Sequence, residues 1–230
     1  MRDVINSLLD LIFPSSCRLC GAQSSQPICR SCLQAFPRIG EVTCSRCGKP
    51  TEKPVQQCQE CNNKDFHFAQ ARAGGIYTGL LKDAIHNLKY RNGKRLVSQL
   101  AEFTARSTGH FLSDADAIAF VPLTRRKEAV RGYNQSKLLA VRLAASFDKP
   151  LYSGLVKTKD ITEQNKLGLT DRAGNVAGAF SARIPVTGRV VLIDDVFTTG
   201  STASECAAAL RAAGAAEVCV VTVARTPLMD

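Results

Sequence analysis

Residues 190–202 read Val190-Val191-Leu192-Ile193-Asp194-Asp195-Val196-Phe197-Thr198-Thr199-Gly200-Ser201-Thr202. The four apolar residues predict a buried strand, and two adjacent carboxylates follow at its carboxyl end. Ligands of parallel sheets bind beyond that end of the strands, where these acids can accept hydrogen bonds from sugar hydroxyls. The hydroxyl-rich segment 198–202 leads into a helix, and the free N–H groups and positive dipole end of a helix favour phosphate. A buried strand with an Asp-capped turn is the alternative, but it does not require this loop chemistry.

Strand and helix patterns alternate on both sides of this segment. The patterns predict a short strand after Gly74-Gly75, a helix over 80–90, a second helix to about 108, a strand over 117–121, a helix over 133–147, a helix over 201–213 and a strand over 217–224. Such alternation predicts an α/β fold with a parallel sheet and helices on both faces. We assign this domain to residues 66–230.

Eight of the ten cysteines precede residue 62, in four Cys-x-x-Cys pairs. The pairs are Cys17 and Cys20, Cys29 and Cys32, Cys44 and Cys47, and Cys58 and Cys61. Two such pairs close a tetrahedron around zinc, so four pairs predict two structural sites. A disulfide framework is the alternative, but it needs an oxidising compartment and no secretion signal precedes it. Sequential pairing is preferred to interleaved pairing because the gaps within each half are short. We expect an N-terminal helix and a double zinc ribbon in residues 1–65.

Composition and charge narrow the class of protein. The apolar fraction is 45% and no segment is long enough to span a bilayer, which predicts a cytoplasmic protein without membrane insertion. The net charge is +10, and residues 66–150 hold 14 Lys and Arg against 6 Asp and Glu. This basic segment favours a polyanionic ligand, although a solvated basic face explains the charge equally well.

The thirteen residues quoted above resemble the phosphoribosyl-pyrophosphate (PRPP) loop of type I phosphoribosyltransferases. This resemblance implies that Asp194 and Asp195 contact the ribose hydroxyls. It also implies 5′-phosphate contacts for five loop residues: Thr198, Thr199, Gly200, Ser201 and Thr202. Because PRPP is a metal-chelating polyanion, Mg²⁺ is the expected accompanying ion.

A second segment extends the resemblance to the whole chain. Residues 121–127 follow a predicted strand, and residues 131–136 (Arg-Gly-Tyr-Asn-Gln-Ser) precede a predicted helix. With the loop, the cysteine pairs and downstream Gln164, Leu167, Arg172, Asn175 and Val176, the chain resembles the ComF/GntX family. The chain departs from the family pattern at Tyr133, where phenylalanine is usual, and at Ile161, where threonine is expected.

The family resemblance implies further roles. It implies that Leu123, Thr124 and Arg125 form a pyrophosphate loop, and that residues 157–176 form a lid to which Arg172 contributes charge. Asp194, Asp195 and Arg125 are then the catalytic residues if the protein is a phosphoribosyltransferase, a glycosyltransferase-type enzyme. Zinc and Mg²⁺ with PRPP are the expected cofactors.

The resemblance implies a role in DNA uptake or in the use of external DNA, because the ComF/GntX family is tied to these processes. Three functions fit it. One is transfer of a phosphoribosyl group to a nucleobase; another is single-stranded DNA handling, with contacts to DNA-uptake machinery proteins. The third is a non-catalytic PRPP-responsive DNA-binding or adaptor protein. For DNA, two sets of basic residues are alternative phosphate contacts: Lys82, Lys89, Arg91, Lys94 and Arg95, or Arg125, Arg126, Lys127 and Arg131. Tyr90 and Tyr133 are the expected stacking platforms.

Overall fold

Five parallel strands form the central sheet. The computed structural model describes residues 16–90, 93–158 and 178–227. The strands of the sheet are β1 (Gln70–Ile76), β2 (Ala117–Phe120), β3 (Leu151–Tyr152), β6 (Arg189–Phe197) and β7 (Glu217–Arg225), in the order β1-β7-β6-β2-β3. Strand β6 is therefore the middle strand, as its apolar run predicts, and its carboxyl end lies at the centre of one sheet edge.

Helices cover both faces of this sheet, which confirms the predicted α/β class. They are α1 (Arg30–Gln34), α2 (Gln59–Asn62), α3 (Gly79–Tyr90), a 3₁₀ turn (Gly93–Leu96), α4 (Val97–Ser113), α5 (Arg125–Arg131), α6 (Gln135–Ser146) and α7 (Ser201–Ala212). Helices α3, α4 and α6 pack on one apolar layer, and α7 packs on the other. None of the helices in the described residues is long and apolar enough to cross a membrane.

Strand β1 differs from its prediction, because Gly74 and Gly75 lie inside it and not before it. A Cβ atom at Gly75 would lie 2.3 Å from the carbonyl oxygen of Pro37 and 2.7 Å from Leu81. A Cβ atom at Gly74 would lie 3.1 Å from the ring of Phe103. The glycines therefore allow neighbouring segments to approach the strand closely and do not end it.

Strands β4 (Leu155–Lys157) and β5 (Phe180–Ala182) form a separate antiparallel pair that the sequence patterns did not predict. They flank residues 159–177, which contain most of the predicted lid. The lid over 159–176, with its residues Gln164, Leu167, Arg172, Asn175 and Val176, lies outside the described residues. The predicted N-terminal helix lies outside them as well.

The two cysteine ribbons pack against different layers of the core. Cys17, Ile28, Cys32 and Phe36 of the first ribbon join the layer that contains α3, α4 and α6. The four cysteines of the second ribbon join the layer beneath α7, together with Phe66 and Phe68. Each ribbon therefore extends one of the two layers beyond the sheet. Cys206 and Cys219 are fully buried core residues.

Candidate functional site

Asp194 lies half-buried at the carboxyl end of β6. Its Oδ1 atom accepts hydrogen bonds from the Ser136 hydroxyl at 2.8 Å and from the Asp195 N–H at 2.8 Å. Burial, followed by the neighbouring charge of Asp195, raises the pKa of Asp194 to about 7, although both hydrogen bonds act in the opposite direction. The protein therefore compensates the charge of this carboxylate incompletely, so a hydroxyl donor or a cation would favour its ionised form.

Asp195 has a different environment. It is only 4% exposed, and its Oδ2 atom lies 2.6 Å from Nζ of Lys89, near the end of α3. Burial alone would lower the pKa of Lys89, but Asp195 outweighs burial and the pKa is raised. The two acids predicted to act together thus have separate partners, Ser136 for one and Lys89 for the other. This ion pair also corrects the prediction that Lys89 contacts DNA, because its ammonium group is occupied within the site.

The segment 131–136 connects both acids to the surrounding helices. Ser136 binds Asp194, and the Tyr133 hydroxyl donates to the carbonyl of Leu88, the residue before Lys89. Asn134 caps α6 by accepting from the Lys137 N–H, and its amide donates to the Val121 carbonyl at 3.0 Å. The sequence motif 131–136 indicated the family resemblance, but Ser136 and Lys89 were not predicted as partners of the acids. The position of Ser136 inside the motif was the available signal.

The prediction that Tyr133 is a stacking platform for DNA bases is wrong. Tyr133 is 7% exposed, since its ring packs into the core and its hydroxyl is bonded to the α3 backbone. It cannot offer a face to a nucleobase. Tyr90 is 65% exposed and keeps the predicted accessibility, with the guanidinium of Arg131 5.2 Å from its ring centroid.

The segment 198–202 forms an open turn into α7. Thr198 and Thr202 are exposed and Ser201 is half-buried, so their hydroxyls border solvent. Gly200 has φ +80° and immediately precedes α7. The first N–H groups of any α-helix have no intrahelical acceptor, so the α7 terminus presents donors beside these hydroxyls. The chemistry of this turn suits a phosphate group.

The predicted pyrophosphate loop lies beside this turn. Strand β2 is hydrogen-bonded to β6, and the pairing continues to the Val121 N–H, which donates to the Ile193 carbonyl at 3.0 Å. Residues 123–125 therefore leave the same edge of the sheet. Thr124 is buried and caps α5 by accepting from the Lys127 N–H at 3.2 Å, while Arg125 is exposed. The expected loop thus becomes a short helix after Thr124, because threonine is a strong N-cap.

Six of the nine basic residues predicted to contact DNA are exposed. The residues are Lys82, Lys94, Arg95, Arg125, Arg126 and Lys127. They come from α3, the 3₁₀ turn and α5, whose seven residues include no buried side chain. Arg91 lies outside the described residues. The positive segment found in the sequence thus contains several exposed cations and the accessible Tyr90.

Both cysteine groups have the geometry of zinc sites. One group is Cys17, Cys20, Cys29 and Cys32, and the other is Cys44, Cys47, Cys58 and Cys61, with all ligand atoms of a group within 4.8 Å of one another. This arrangement confirms sequential pairing. A Zn–S distance of about 2.3 Å gives a tetrahedron edge of about 3.8 Å. The observed Sγ–Sγ distances of 3.7 Å (Cys20–Cys29), 3.7 Å (Cys47–Cys58) and 3.9 Å (Cys44–Cys61) fit this edge.

The knuckle backbone also fits thiolate ligands. The N–H of Cys29 lies 3.3 Å from the Cys17 sulfur, and the N–H of Cys58 lies 3.3 Å from the Cys44 sulfur. Gly21 and Gly48 follow the knuckles with φ of +75° and +68°, a conformation that glycine adopts readily and that lets the backbone turn around a metal. Four cysteine ligands leave no open coordination position, so both sites are structural.

Comparison with known proteins gives a family model and full-length relatives. The model for a double zinc ribbon domain matches residues 8–62. The DNA utilization protein YhgH of Salmonella typhimurium is 33% identical over 94% of this chain and 99% of the relative. Competence protein F of Haemophilus influenzae is 31% identical over 86% of this chain and 88% of the relative. Competence protein ComFC of Bacillus subtilis is 25% identical over 81% and 84%.

Solved structures give shorter matches. Orotate phosphoribosyltransferase from Aeropyrum pernix matches 57% of this chain and 59% of its own, at 21% identity and a TM-score of 0.35. An allosteric regulatory enzyme of purine biosynthesis matches 54% of this chain and 25% of its own, at 25% identity and a TM-score of 0.37.

Proposed function

This chain belongs to the ComF/GntX family, and on that premise we propose that it binds PRPP with Mg²⁺ at the carboxyl edge of its sheet and acts in the uptake or use of external DNA. The full-length relatives named for competence and DNA utilization support the second part. One observation carries the first part. A carboxylate with incompletely compensated charge, Asp194, lies beside an open hydroxyl-rich turn at a helix N-terminus.

In this proposal the ribose and its 5′-phosphate occupy adjacent parts of the edge. The Asp194 carboxylate accepts hydrogen bonds from the ribose hydroxyls. Residues 198–202 surround the 5′-phosphate with hydroxyls and N–H groups. Asp195 acts mainly through its ion pair with Lys89, which fixes the end of β6 and limits its direct contact with the sugar.

The pyrophosphate belongs on the β2 side of the same edge. Residues 123–125 leave the sheet there, and the exposed Arg125 can grip phosphate oxygens through its planar donors. Mg²⁺ suits this place because its preferred ligands are oxygen atoms, which the ribose hydroxyls, the pyrophosphate and Asp194 all offer. When bound, Mg²⁺ neutralises part of the pyrophosphate charge. Arg172 remains a proposed contributor from the lid.

Two versions of this function differ in whether a bond is broken. In an active phosphoribosyltransferase, a nucleobase nitrogen attacks C1′ of PRPP and pyrophosphate leaves, and Arg125 stabilises the leaving charge. In the alternative, PRPP binds without reaction and changes contacts with DNA or an adaptor partner. A release assay for pyrophosphate across a panel of nucleobases separates the two versions.

Single-stranded DNA is the proposed second ligand. The exposed cations come from α3, the 3₁₀ turn and α5, and Tyr90 at the end of α3 is 65% exposed, with the Arg131 guanidinium 5.2 Å from its ring centroid. Surfaces that bind single-stranded DNA usually combine cations, which contact the phosphate backbone, with aromatic rings, which stack on the bases. A single platform does not support sequence-specific readout.

Binding of PRPP is tested by thermal unfolding with and without PRPP and Mg²⁺. At a ligand concentration of 100 times Kd, binding stabilises a protein by about 2.7 kcal/mol, which raises Tm by roughly 5–10 °C at this size. Asp194→Asn is expected to remove most of the shift, while Asp83→Asn, a change of an exposed acid on α3, leaves it intact. A full shift in the Asp194 variant refutes the ribose contact.

DNA binding is tested by fluorescence anisotropy of a labelled single strand at increasing salt. Contacts with several phosphates predict affinity that falls steeply with salt concentration. Joint replacement of Arg125 and Arg126 by glutamine is expected to reduce that slope. Affinity that does not respond to salt contradicts a phosphate-backbone surface.

A further inference from the structure

The second zinc ribbon leads directly from its last ligand to the phosphate-binding turn. Lys64, three residues after Cys61, donates a hydrogen bond from Nζ to the Thr199 carbonyl at 3.2 Å. The backbone then contacts α7 at His67, whose N–H donates a hydrogen bond to the Ser204 hydroxyl at 3.0 Å. The exit of the ribbon therefore follows the turn and the first residues of α7.

Phe66 forms the floor of this turn. A Cβ atom at Gly200 would lie 2.8 Å from the Phe66 ring and 2.7 Å from the Phe197 ring, so the turn backbone rests on both rings. Phe66 stacks on Phe68 at 4.6 Å between centroids and contacts Phe197 edge-on at 6.5 Å. The position of the turn thus depends on a residue from the ribbon side of the chain.

Two arginines connect the same rings to the second cysteine group. Arg46, between Cys44 and Cys47, donates to the Phe66 carbonyl at 2.6 Å. Arg225 is 2% exposed, donates to the Cys47 carbonyl at 2.8 Å, and has its guanidinium 5.6 Å from the Phe197 ring centroid. A four-thiolate zinc site has a net negative charge, which these guanidinium groups offset.

The first ribbon belongs to the apolar layer that contains α3, α4 and α6, whereas Phe66 and Phe197 beneath the turn belong to the other layer. Gln99 of α4 attaches the first ribbon to its layer by exchanging two hydrogen bonds with the Ile28 backbone at 2.8 and 2.7 Å. Asn87 of α3 donates to the Arg18 carbonyl at 3.2 Å. The two ribbons therefore differ in their attachment to the core, and the second ribbon is the one that contacts the turn.

We propose that the exit of the second ribbon is part of the phosphate site: Lys64 is a direct contact of the bound phosphomonoester, and Phe66, Arg46 and Arg225 position the turn. Phosphate affinity then depends on the second ribbon and not on the first. This inference rests on the proposed function. The ammonium group lies at the Thr199 carbonyl, inside the turn that would bind the phosphate, and it is carried on a flexible four-carbon side chain.

The direct contact is tested by calorimetric titration with ribose 5-phosphate and with PRPP and Mg²⁺. Lys64→Ala is expected to raise Kd about 3- to 10-fold at low salt, the range for loss of one exposed charge-assisted contact. Lys64→Arg keeps most of the affinity. Lys53→Ala removes an exposed lysine of the same ribbon and is the control, with a change below about 2-fold.

The positioning role is tested with Arg46→Gln and with Gln99→Ala as the matched change at the first ribbon. Arg46→Gln is expected to weaken both ligands while the protein keeps two zinc equivalents, and hydrogen exchange of residues 199–203 accelerates. Gln99→Ala leaves affinity unchanged. Wild-type affinity in both Lys64→Ala and Arg46→Gln overturns this inference and leaves the PRPP proposal intact. Absence of binding by the wild-type protein overturns both.

Discussion

Asp194 is the residue in the site whose charge depends most on its surroundings. Its pKa is raised to about 7 from 3.8 by burial and by Asp195. A raised acid pKa means that the stability from this group is present below about pH 4 and is lost as the pH rises towards 7. Ionisation of Asp194 therefore lowers the stability of the folded protein when no ligand is bound.

Asp194→Asn is expected to stabilise the protein at pH 8 because it removes this titration and keeps an acceptor for Ser136. The gain is roughly 1–2 kcal/mol once solvent screening of a half-buried group is allowed for, and it shrinks as the pH falls to 4. Urea unfolding at pH 4, 6 and 8 measures it. A difference that is independent of pH contradicts the raised pKa.

Lys89 is expected to be the most sensitive cation of the site. Lys89→Met leaves Asp195 buried and unpaired, and loss of one partner of a buried ion pair costs about 3–5 kcal/mol. Adding Asp195→Asn to the same chain is expected to restore part of this loss. Lys82→Ala, at an exposed position of the same helix, is the control, with an expected change within about 0.5 kcal/mol. Chemical denaturation measures all three, and equal effects of the two lysine changes would refute the pair.

At the scale of single elements, the turn between β6 and α7 depends on glycine. Gly200 has φ +80° and no room for a Cβ atom, whereas Gly132 has φ +77° and no atom within 4 Å of that position. Gly200→Ala and Gly132→Ala both introduce backbone strain of about 1 kcal/mol. Only Gly200→Ala adds steric overlap with Phe66 and Phe197.

We therefore expect Gly200→Ala to be the more destabilising of the two by about 1–3 kcal/mol, and to weaken ribose 5-phosphate binding, which Gly132→Ala does not do. Thermal unfolding and calorimetry measure the two effects. Equal stability of the variants would show that the turn moves freely away from the rings.

Local patterns predicted the elements whose residues carry their own signal. The apolar run 190–193 and the helical spacing of 80–90 correspond to β6 and α3, and the spacing of the cysteines predicted both metal groups. Strand β1 was misplaced because glycine at 74 and 75 reflects close packing by distant segments. The short pair β4–β5 has too few residues for a periodic signal.

The partners of the acids were harder to predict because they come from remote parts of the chain. Lys89 and Asp195 are more than a hundred positions apart, and nothing local distinguishes Lys89 from the exposed Lys82, which lies two turns earlier on the same helix. Burial of Tyr133 likewise depends on the packing of α3 against its segment. Tertiary contacts, which composition and spacing do not encode, decide which basic and aromatic residues remain accessible.

At the scale of the whole molecule, the zinc ribbons are built into the two core layers. Each layer contains cysteines of one ribbon, so metal binding contributes to the stability of the α/β core as well as of the ribbons. The two sites differ in exposure. Cys20 is exposed and Cys29 is half-buried in the first site, whereas all four cysteines of the second site are buried.

This difference predicts two phases of zinc release. Metal analysis is expected to find two zinc equivalents, and a chromophoric chelator is expected to remove the equivalent at the first site faster. Cys20→Ser is expected to remove the fast phase and leave the slow one. A single phase of two equivalents, or a fast phase that survives in this variant, contradicts the assignment.

The most direct measurement is a crystal structure of the protein with PRPP and Mg²⁺. The account predicts the 5′-phosphate against residues 198–202 at the start of α7, with the ribose hydroxyls next to Asp194. Electron density for PRPP at another surface, with no phosphate against residues 198–202, would contradict it.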